Sequence, residues 1–398
     1  MTSTAAPLVV HVVYRFAVGG LENGLVNLVN RLPGAAWRHT IVSLTDVDPN
    51  FARRLTNPAV NLVALGKGPG HALPLYPRLF RLFRQARPAI VHTRNLAALE
   101  AMVPAWAAGV TVRVHGEHGR DAADPHGRNR RRQWIRKLYR PFVTQYVALS
   151  PELERYLVDP IGVAQDRVER IVNGVDTMRF VPSDARVAIE GCPFKEPDLW
   201  LVGTVGRMET VKDQTNLAAA FVAACARDDE VRRRMRLVMV GDGPLRDDVD
   251  AILRAAGLRN HAWLAGERDD VAKVMQGLDC FVLPSLAEGV SNTVLEAMAT
   301  GLPVIATRVG ANADLVDEGV TGRLVEPGDS DALARELAEL FEHRKLGSSM
   351  GSAGRVRVEQ RFSLERMVER YHLLYSRLAA TAAGLDVRAG EAEGTTRH

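Results

Sequence analysis

The chain has 398 residues, 46% apolar and 25% charged, with a formal net charge of +4. That length exceeds one typical domain and suits two, and the composition excludes a fibrous or disordered chain. No apolar run approaches the roughly 18 residues that cross a bilayer, and the start, MTSTAAPLVVHVVY, has no basic leader before its first strand. Cys192, Cys225 and Cys280 have neither metal nor redox spacing, so a cytoplasmic protein is expected. Charge is uneven: 25 Lys and Arg face 15 Asp and Glu through residue 190, against 26 and 32 in the remainder. A basic half joined to an acidic half suggests that one half meets an anionic surface.

Short apolar runs at residues 8–14, 39–44, 60–65, 89–93, 110–115, 144–149 and 168–172 read as strands, with helical patterns between most of them. Such alternation predicts a parallel, doubly wound α/β sheet. Gly19 and Gly20 follow the first strand, and Leu21, Leu25, Leu28, Val29 and Leu32 then repeat at helical spacing. Glycines there let a ligand approach the backbone, although an ordinary strand-to-helix turn would look the same. Two polar clusters end strands, His92-Thr93-Arg94-Asn95 and a second running from His115 through His118 and Arg120 to Asp121. His115 and His118 have H-x-x-H spacing, but no third metal ligand stands out, so no metal is expected. Segments 78–87 and 128–140 interleave arginines with large apolar residues. They read either as sheet-packed amphipathic helices or as basic helices resting on anionic lipid; no nucleic-acid-binding module is recognisable.

After Asn173-Gly174-Val175-Asp176, residues 183–197 are weakly patterned and read as an inter-domain linker. A second βα series starts at residues 199–205, then Gly206-Arg207 and, five residues on, Lys212. Two cations at a strand end can hold a diphosphate, Arg through its fork and Lys as a point charge; solvated loop cations are the plain alternative. A strand at 235–240 ends in Gly241-Asp242-Gly243-Pro244, and Arg246 stands where a dinucleotide fingerprint needs its third glycine. The strand at 279–283 leads into PSLAEGVSNTVLEAMATG, residues 284–301, with Glu288 and Glu296 on either side of a helix start. Free N–H groups and a positive dipole end suit a phosphate there. Taken singly, Glu288 reads as a loop acid, and Glu296 as closing a capping box with Thr293. Residues 362–378 form a one-sided apolar helix, and a frayed tail is expected after residue 384.

The phrase from Glu288 to Thr307, with Gly19-Gly20-Leu21-Glu22, Arg207 and Lys212, and Gly241-Asp242-Gly243-Pro244, resembles the retaining GT-B glycosyltransferases of family 4. RVHGEHGRD is similar to a subgroup linked to exopolysaccharide gene clusters. The resemblance implies two Rossmann-like domains facing a cleft, at residues 1–182 and 198–363, with a helix near 364–383 crossing back. It implies metal-independent transfer of a sugar, UDP-linked on family frequency, to a glycan or lipid-linked acceptor, with no cofactor. His118, Arg207, Lys212 and Glu288 are then the catalytic candidates. The donor would contact Gly19, Gly20, Gly206, Arg207, Lys212, Gly241, Gly243, Gly266, Glu288, Gly289, Val290, Ser291, Asn292, Thr293 and Glu296, with Glu296 on the ribose hydroxyls. His92, Asn95, His115 and Arg120 would face the acceptor side, and either His118 or His115 aligns with the family's sugar-contacting histidine, His118 being preferred. Gly310-Ala311 and Asp314 stand where the family has G-G-x-x-E. A nucleotide-sugar 2-epimerase and a non-catalytic nucleotide-sugar-binding protein share the architecture. A lipid-linked acceptor would bring the N-terminal half to a membrane surface.

Overall fold

A computed structural model describes residues 6–119, 124 and 127–384. The chain divides into two compact units, one running to Val172 and resuming at Glu365, the other from Asn173 to Leu364.

The first unit is a seven-stranded parallel sheet: β1 (Leu8–Val13), β2 (Arg38–Ser43), β3 (Asn61–Ala64), β4 (Ile90–Arg94), β5 (Val112–Glu117), β6 (Gln145–Ala148) and β7 (Val168–Arg170). Their spatial order is β3-β2-β1-β4-β5-β6-β7. Alternate residues of β1 serve opposite faces, as a strand covered on both sides requires. Val10 and Val12 join Leu79, Phe83 and Val91 on one side, while Val13 joins Leu25, Val29 and Phe51 on the other.

The second unit repeats the plan with β8 (Trp200–Val205), β9 (Met235–Val240), β10 (Ala262–Gly266), β11 (Cys280–Leu283), β12 (Val304–Thr307) and β13 (Gly322–Val325), ordered β10-β9-β8-β11-β12-β13. Its core gathers Trp200, Phe221, Leu237, Val282, Ile305 and Leu337. In both sheets the strand order reverses once, between β1 and β4 and between β8 and β11. Loops leaving the carboxyl ends of strands at such a reversal open a crevice, and ligands of doubly wound sheets bind there.

The helix Leu364–Ala382, from Glu365 on, belongs with the first unit. Tyr371, Leu374 and Tyr375 are buried, and Trp37 Nε1 donates to His372 Nδ1 at 3.0 Å. The stretch expected to be a linker is packed. Val187 N–H donates to the Gln276 carbonyl, Arg186 pairs with Asp279, and Ile189 and Cys192 are buried. The division instead falls at residues 172 and 173, because Asn173 and the segment after it are held to the second unit by Val175–Phe362 and Leu364–Val175 backbone bonds. The expected tail lies outside the described residues. Among the described residues no helix is long and apolar enough to cross a membrane.

The two basic segments differ from each other. In the helix Tyr76–Ala86, Leu79 and Phe83 are buried and Arg78 is bonded to the Leu65 carbonyl, which fits a sheet-packed helix. In the helix Arg130–Tyr139, by contrast, Arg130, Arg131, Trp134, Lys137 and Leu138 share an exposed stripe, with Trp134 62% and Leu138 50% exposed. Arg136, which the sequence groups with the surface arginines, turns inward to the buried Glu117 at the end of β5, with Nε to Oε1 2.5 Å and Nη2 to Oε2 3.1 Å. Burial alone would raise the Glu117 carboxyl. The Arg136 charge, with hydrogen bonds from His115 and Arg136, outweighs it and holds the group well below the usual carboxylate range.

Breaking this pair should therefore be costly. Arg136→Met leaves the buried Glu117 carboxylate with His115 but without its guanidinium and should remove about 3–5 kcal/mol of stability near pH 7. Because the folded-state pKa of Glu117 is depressed, that contribution is full above about pH 4.3 and is lost as pH falls below it. Urea unfolding of wild type and variant should show a gap that narrows on acidification; a pH 7 gap below about 1 kcal/mol would contradict the assignment.

Candidate functional site

In the second unit, the loops after β8 and β11 flank the reversal of strand order. After β8 come Gly206, the exposed Arg207, and a turn at Thr210–Lys212 that ends against the helix Gln214–Arg227. After β11 come the buried Ser285, then Glu288, then the helix Asn292–Ala299. Lys212 Nζ meets Glu288 Oε1 at 2.6 Å, and the Glu288 side chain is only 8% exposed. Leu286 N–H donates to the Val211 carbonyl at 2.9 Å, so the two loops are also tied through backbone. Arg207 lies outside this pair, with its guanidinium 2.9 Å from Glu209 at the surface.

Glycines let neighbouring loops close on this place. At Gly241, where φ is +126°, a side chain would run into the Gly206 carbonyl oxygen. At Gly243, φ is +148°, and a Cβ would lie 2.5 Å from the Met208 carbonyl oxygen. Gly266 ends β10 and its carbonyl accepts from Gly241 N–H at 2.8 Å. Gly310, at φ +53°, sits against the Glu288 carbonyl, and Ala311 N–H donates to the Gly289 carbonyl. The Gly310-Ala311 loop, which departs from the resembled family, is thus the far wall of the Glu288 turn.

Ser291 caps the helix: its Oγ accepts from Val294 N–H at 3.3 Å. The sequence reading of a capping box between Thr293 and Glu296 is corrected by this, since Thr293 already lies inside the helix. First-turn N–H groups have no partner within their own helix, so those of Asn292 and Thr293 can receive an anion. Gly289 and Val290 bridge Glu288 to this cap, and Asn292 Oδ1 accepts from Asn173 Nδ2 at 3.1 Å. Glu296 is freed from a capping role. Burial pushes its carboxyl up to about 7, against a smaller opposing pull from Arg179. A carboxyl in that state is poised to accept hydroxyl hydrogen bonds once ionised.

In the first unit, Gly19 caps the helix Gly20–Arg31 after β1, and the Glu22 carboxylate folds back over it, into the space that a Cβ would take. Loops from β4 and β5 leave the same edge. Asn95, at φ +59°, accepts from His118 N–H at 2.8 Å. His115 is wholly buried, with Nδ1 2.8 Å from Thr93 Oγ1 and Nε2 3.4 Å from Glu117. His118 is the contrary case: neither ring nitrogen has a partner among the described residues. Its Nε2 lies 2.6 Å, and that of His92 3.2 Å, from where a Gly116 Cβ would be. His92 is buried and its Nδ1 lies 2.7 Å from Tyr375 Oη of the returning helix. Arg120 lies outside the described residues.

Sequence reasoning missed what supports these groups. Arg94, 2% exposed, reaches His11 Nδ1 at 3.1 Å, and His11 Nε2 meets His39 Nδ1 at 3.1 Å. Guanidinium only donates, so His11 accepts at Nδ1 and passes its own N–H to His39. Burial, with the Arg94 charge, holds His11, His39, His92 and His118 below the ordinary histidine range and hence neutral at pH 7. Ser285 was passed over too, for it reads as one polar residue in a strand-end loop. No group of three or more His, Cys, Asp or Glu positioned to hold a metal is found among the described residues.

Residues 18–179 match the family model described as Glycosyltransferase Family 4, and residues 200–343 that described as Glycosyl transferases group 1. A UDP-Gal:alpha-D-GlcNAc-diphosphoundecaprenol alpha-1,3-galactosyltransferase of Escherichia coli is 27% identical over 75% of this chain and 77% of its own length. The lipopolysaccharide core mannosyltransferase LpsB of Rhizobium meliloti is 27% identical, covering 85% of this chain and 99% of its own. An N-acetyl-alpha-D-glucosaminyl L-malate synthase of Bacillus anthracis is 32% identical, and the chain spans 53% of it. Among solved structures, Anabaena HepE in complex with UDP superposes with a TM-score of 0.76 at 18% identity, over 93% of this chain and 99% of that one. The sucrose-phosphate synthase of Thermosynechococcus elongatus gives 0.74 at 22%, over 94% and 100%. At such identities the likeness shows the fold, two Rossmann-like units of the GT-B type.

Proposed function

Since the chain belongs to the group 1 glycosyltransferases of family 4, we propose that it moves a sugar from a nucleoside-diphosphate sugar to a hydroxyl of a glycan or lipid-linked acceptor. The setting is exopolysaccharide or other cell-surface glycan assembly. The observation that carries this reading is the Lys212–Glu288 pair beside a glycine-lined loop cluster and a helix start at the strand-order reversal. UDP is the favoured nucleotide: the Escherichia coli relative is named for UDP-Gal, and HepE was solved with UDP.

In this reading the departing diphosphate gathers negative charge as the glycosidic bond breaks. Arg207, Lys212 and the Asn292 and Thr293 N–H groups meet that charge with fixed positive groups. Glu296 takes the ribose hydroxyls, and Glu288 faces the donor sugar. Retention follows if the acceptor attacks from the face that the diphosphate leaves, a phosphate oxygen taking the acceptor proton. His118, with the ring neutral and both ring nitrogens without a hydrogen-bond partner among the described residues, is the first unit's candidate for receiving a sugar hydroxyl. The exposed Arg130, Arg131, Trp134, Lys137 and Leu138 stripe supports docking of the first unit on an anionic membrane surface, where a lipid-linked acceptor resides.

Incubation with UDP- and GDP-sugars, with and without a lipid extract, should give acceptor-dependent release of nucleoside diphosphate. Arg207→Ala and Lys212→Ala should each lower turnover by about 10²–10³-fold. Wild-type turnover in either variant removes that residue from the proposal, and epimer formation without acceptor replaces transfer by isomerisation. For the membrane surface, flotation with anionic vesicles at low salt should carry wild-type protein upward and carry Trp134→Ser with Leu138→Ser much less. Equal flotation on neutral vesicles would contradict docking by this stripe.

A further inference from the structure

Glu288 is held from below as well as from the side. Its Oε1, besides meeting Lys212, accepts the Ser285 hydroxyl at 2.6 Å. Ser285 has no exposed surface, so its hydroxyl has no solvent to turn to. Its own backbone is fixed in turn: Thr307 Oγ1, at the end of β12, donates to the Ser285 carbonyl at 2.6 Å. Asn312 Nδ2 donates to the Thr307 carbonyl at 2.9 Å, and both Thr307 and Asn312 are fully buried. A buried polar chain thus runs from the β12 loop through Ser285 to the carboxylate. A hydroxyl that donates into an ion pair does two things. It consumes one lone pair of Oε1, and, with Lys212 on the same oxygen, it restricts rotation of the carboxylate. A loop glutamate without such a bond would sample several rotamers, since its side chain is among those with the most conformational freedom to lose.

We propose that Ser285 is a positioning residue for the transfer reaction: its hydroxyl, anchored through Thr307 and Asn312, holds the Glu288 carboxylate in the one orientation that pairs with Lys212 and faces the donor sugar. The inference rests on the reading of Glu288 as a donor-sugar contact and adds a residue that this reading leaves out. Ser285 touches no substrate; it acts through Glu288. Its loss therefore affects turnover more than nucleotide binding, which Arg207, Lys212 and the helix N–H groups share.

The test is a double-mutant cycle on the full chain with Ser285→Ala, Glu288→Ala and the two combined. Donor kcat and KM are read together with the affinity for free UDP and the thermal midpoint. Ser285→Ala should lower kcat by roughly 10–100-fold, the penalty of a misplaced reacting group, with UDP affinity within about twofold of wild type. In the Glu288→Ala background the same change should cost nothing further, because two residues acting as one unit are not additive. Ser285→Cys, which keeps a weak donor in the same volume, should recover part of the loss. Full turnover in Ser285→Ala, or a loss that adds undiminished to that of Glu288→Ala, overturns the positioning role while leaving Glu288 in place. Wild-type turnover in Glu288→Ala overturns the underlying reading instead. If Ser285→Ala unfolds, Thr307→Val, which removes the hydroxyl bonded to the Ser285 carbonyl and, at 3.5 Å, to that of Leu283, carries the same cycle and the same two outcomes.

Discussion

A lysine and a glutamate 2.6 Å apart, one on each side of a strand-order reversal, are the interaction that ties together the loops of the second unit's candidate site. The topology puts them there: β8 and β11 are far apart in sequence but neighbours in the sheet, which brings together the loops at their carboxyl ends. The glycines at 241, 243 and 310 then bring three further turns close enough to shape a cradle, since any side chain at those points would strike a carbonyl oxygen. Charge, backbone amides and close approach converge at the second sheet's reversal because the loops that carry them leave neighbouring strand ends there.

The first unit answers with a different electrostatic design. Around Arg94 the histidines are neutral acceptors and donors in sequence, a relay that satisfies one buried cation without spending a carboxylate. At the end of β5 a buried carboxylate, Glu117, is held by Arg136. His118 stands just beyond, its backbone fixed by Asn95 and its ring unpartnered among the described residues. His39 and His92 each leave Nε2 without a hydrogen-bond partner among the described residues, but in His118 both ring nitrogens are so placed.

Much of this was legible in the sequence. Parallel strands between helices, the glycine turns, the two cations five residues apart and the two carboxylates around a helix start all stand out as local patterns, and local patterns survive folding. The misses share one cause, which is that partners lie far apart in the chain. Arg136 looks like its surface neighbours until Glu117, nineteen residues away, turns it inward. His115 and His118 look alike until Thr93 and Glu117 take up the first. Residues 183–197 look like a linker because their few apolar residues, Ile189 and Cys192, show no periodicity, yet both find cover. Ser285 gives no signal at all, because a serine's role is set by what its hydroxyl reaches.

The central claim is that the second unit grips a diphosphate, and the share of binding carried by the terminal phosphate tests it most directly. Titration calorimetry of the full chain against UDP, UMP and uridine separates phosphate from nucleoside. Charge-assisted contacts to the β-phosphate should make UDP bind at least about tenfold more tightly than UMP, a difference of about 1.4 kcal/mol. Equal affinity for UDP and UMP would mean that the Lys212–Glu288 loop cluster does not hold the second phosphate, and the account would fail at its foundation.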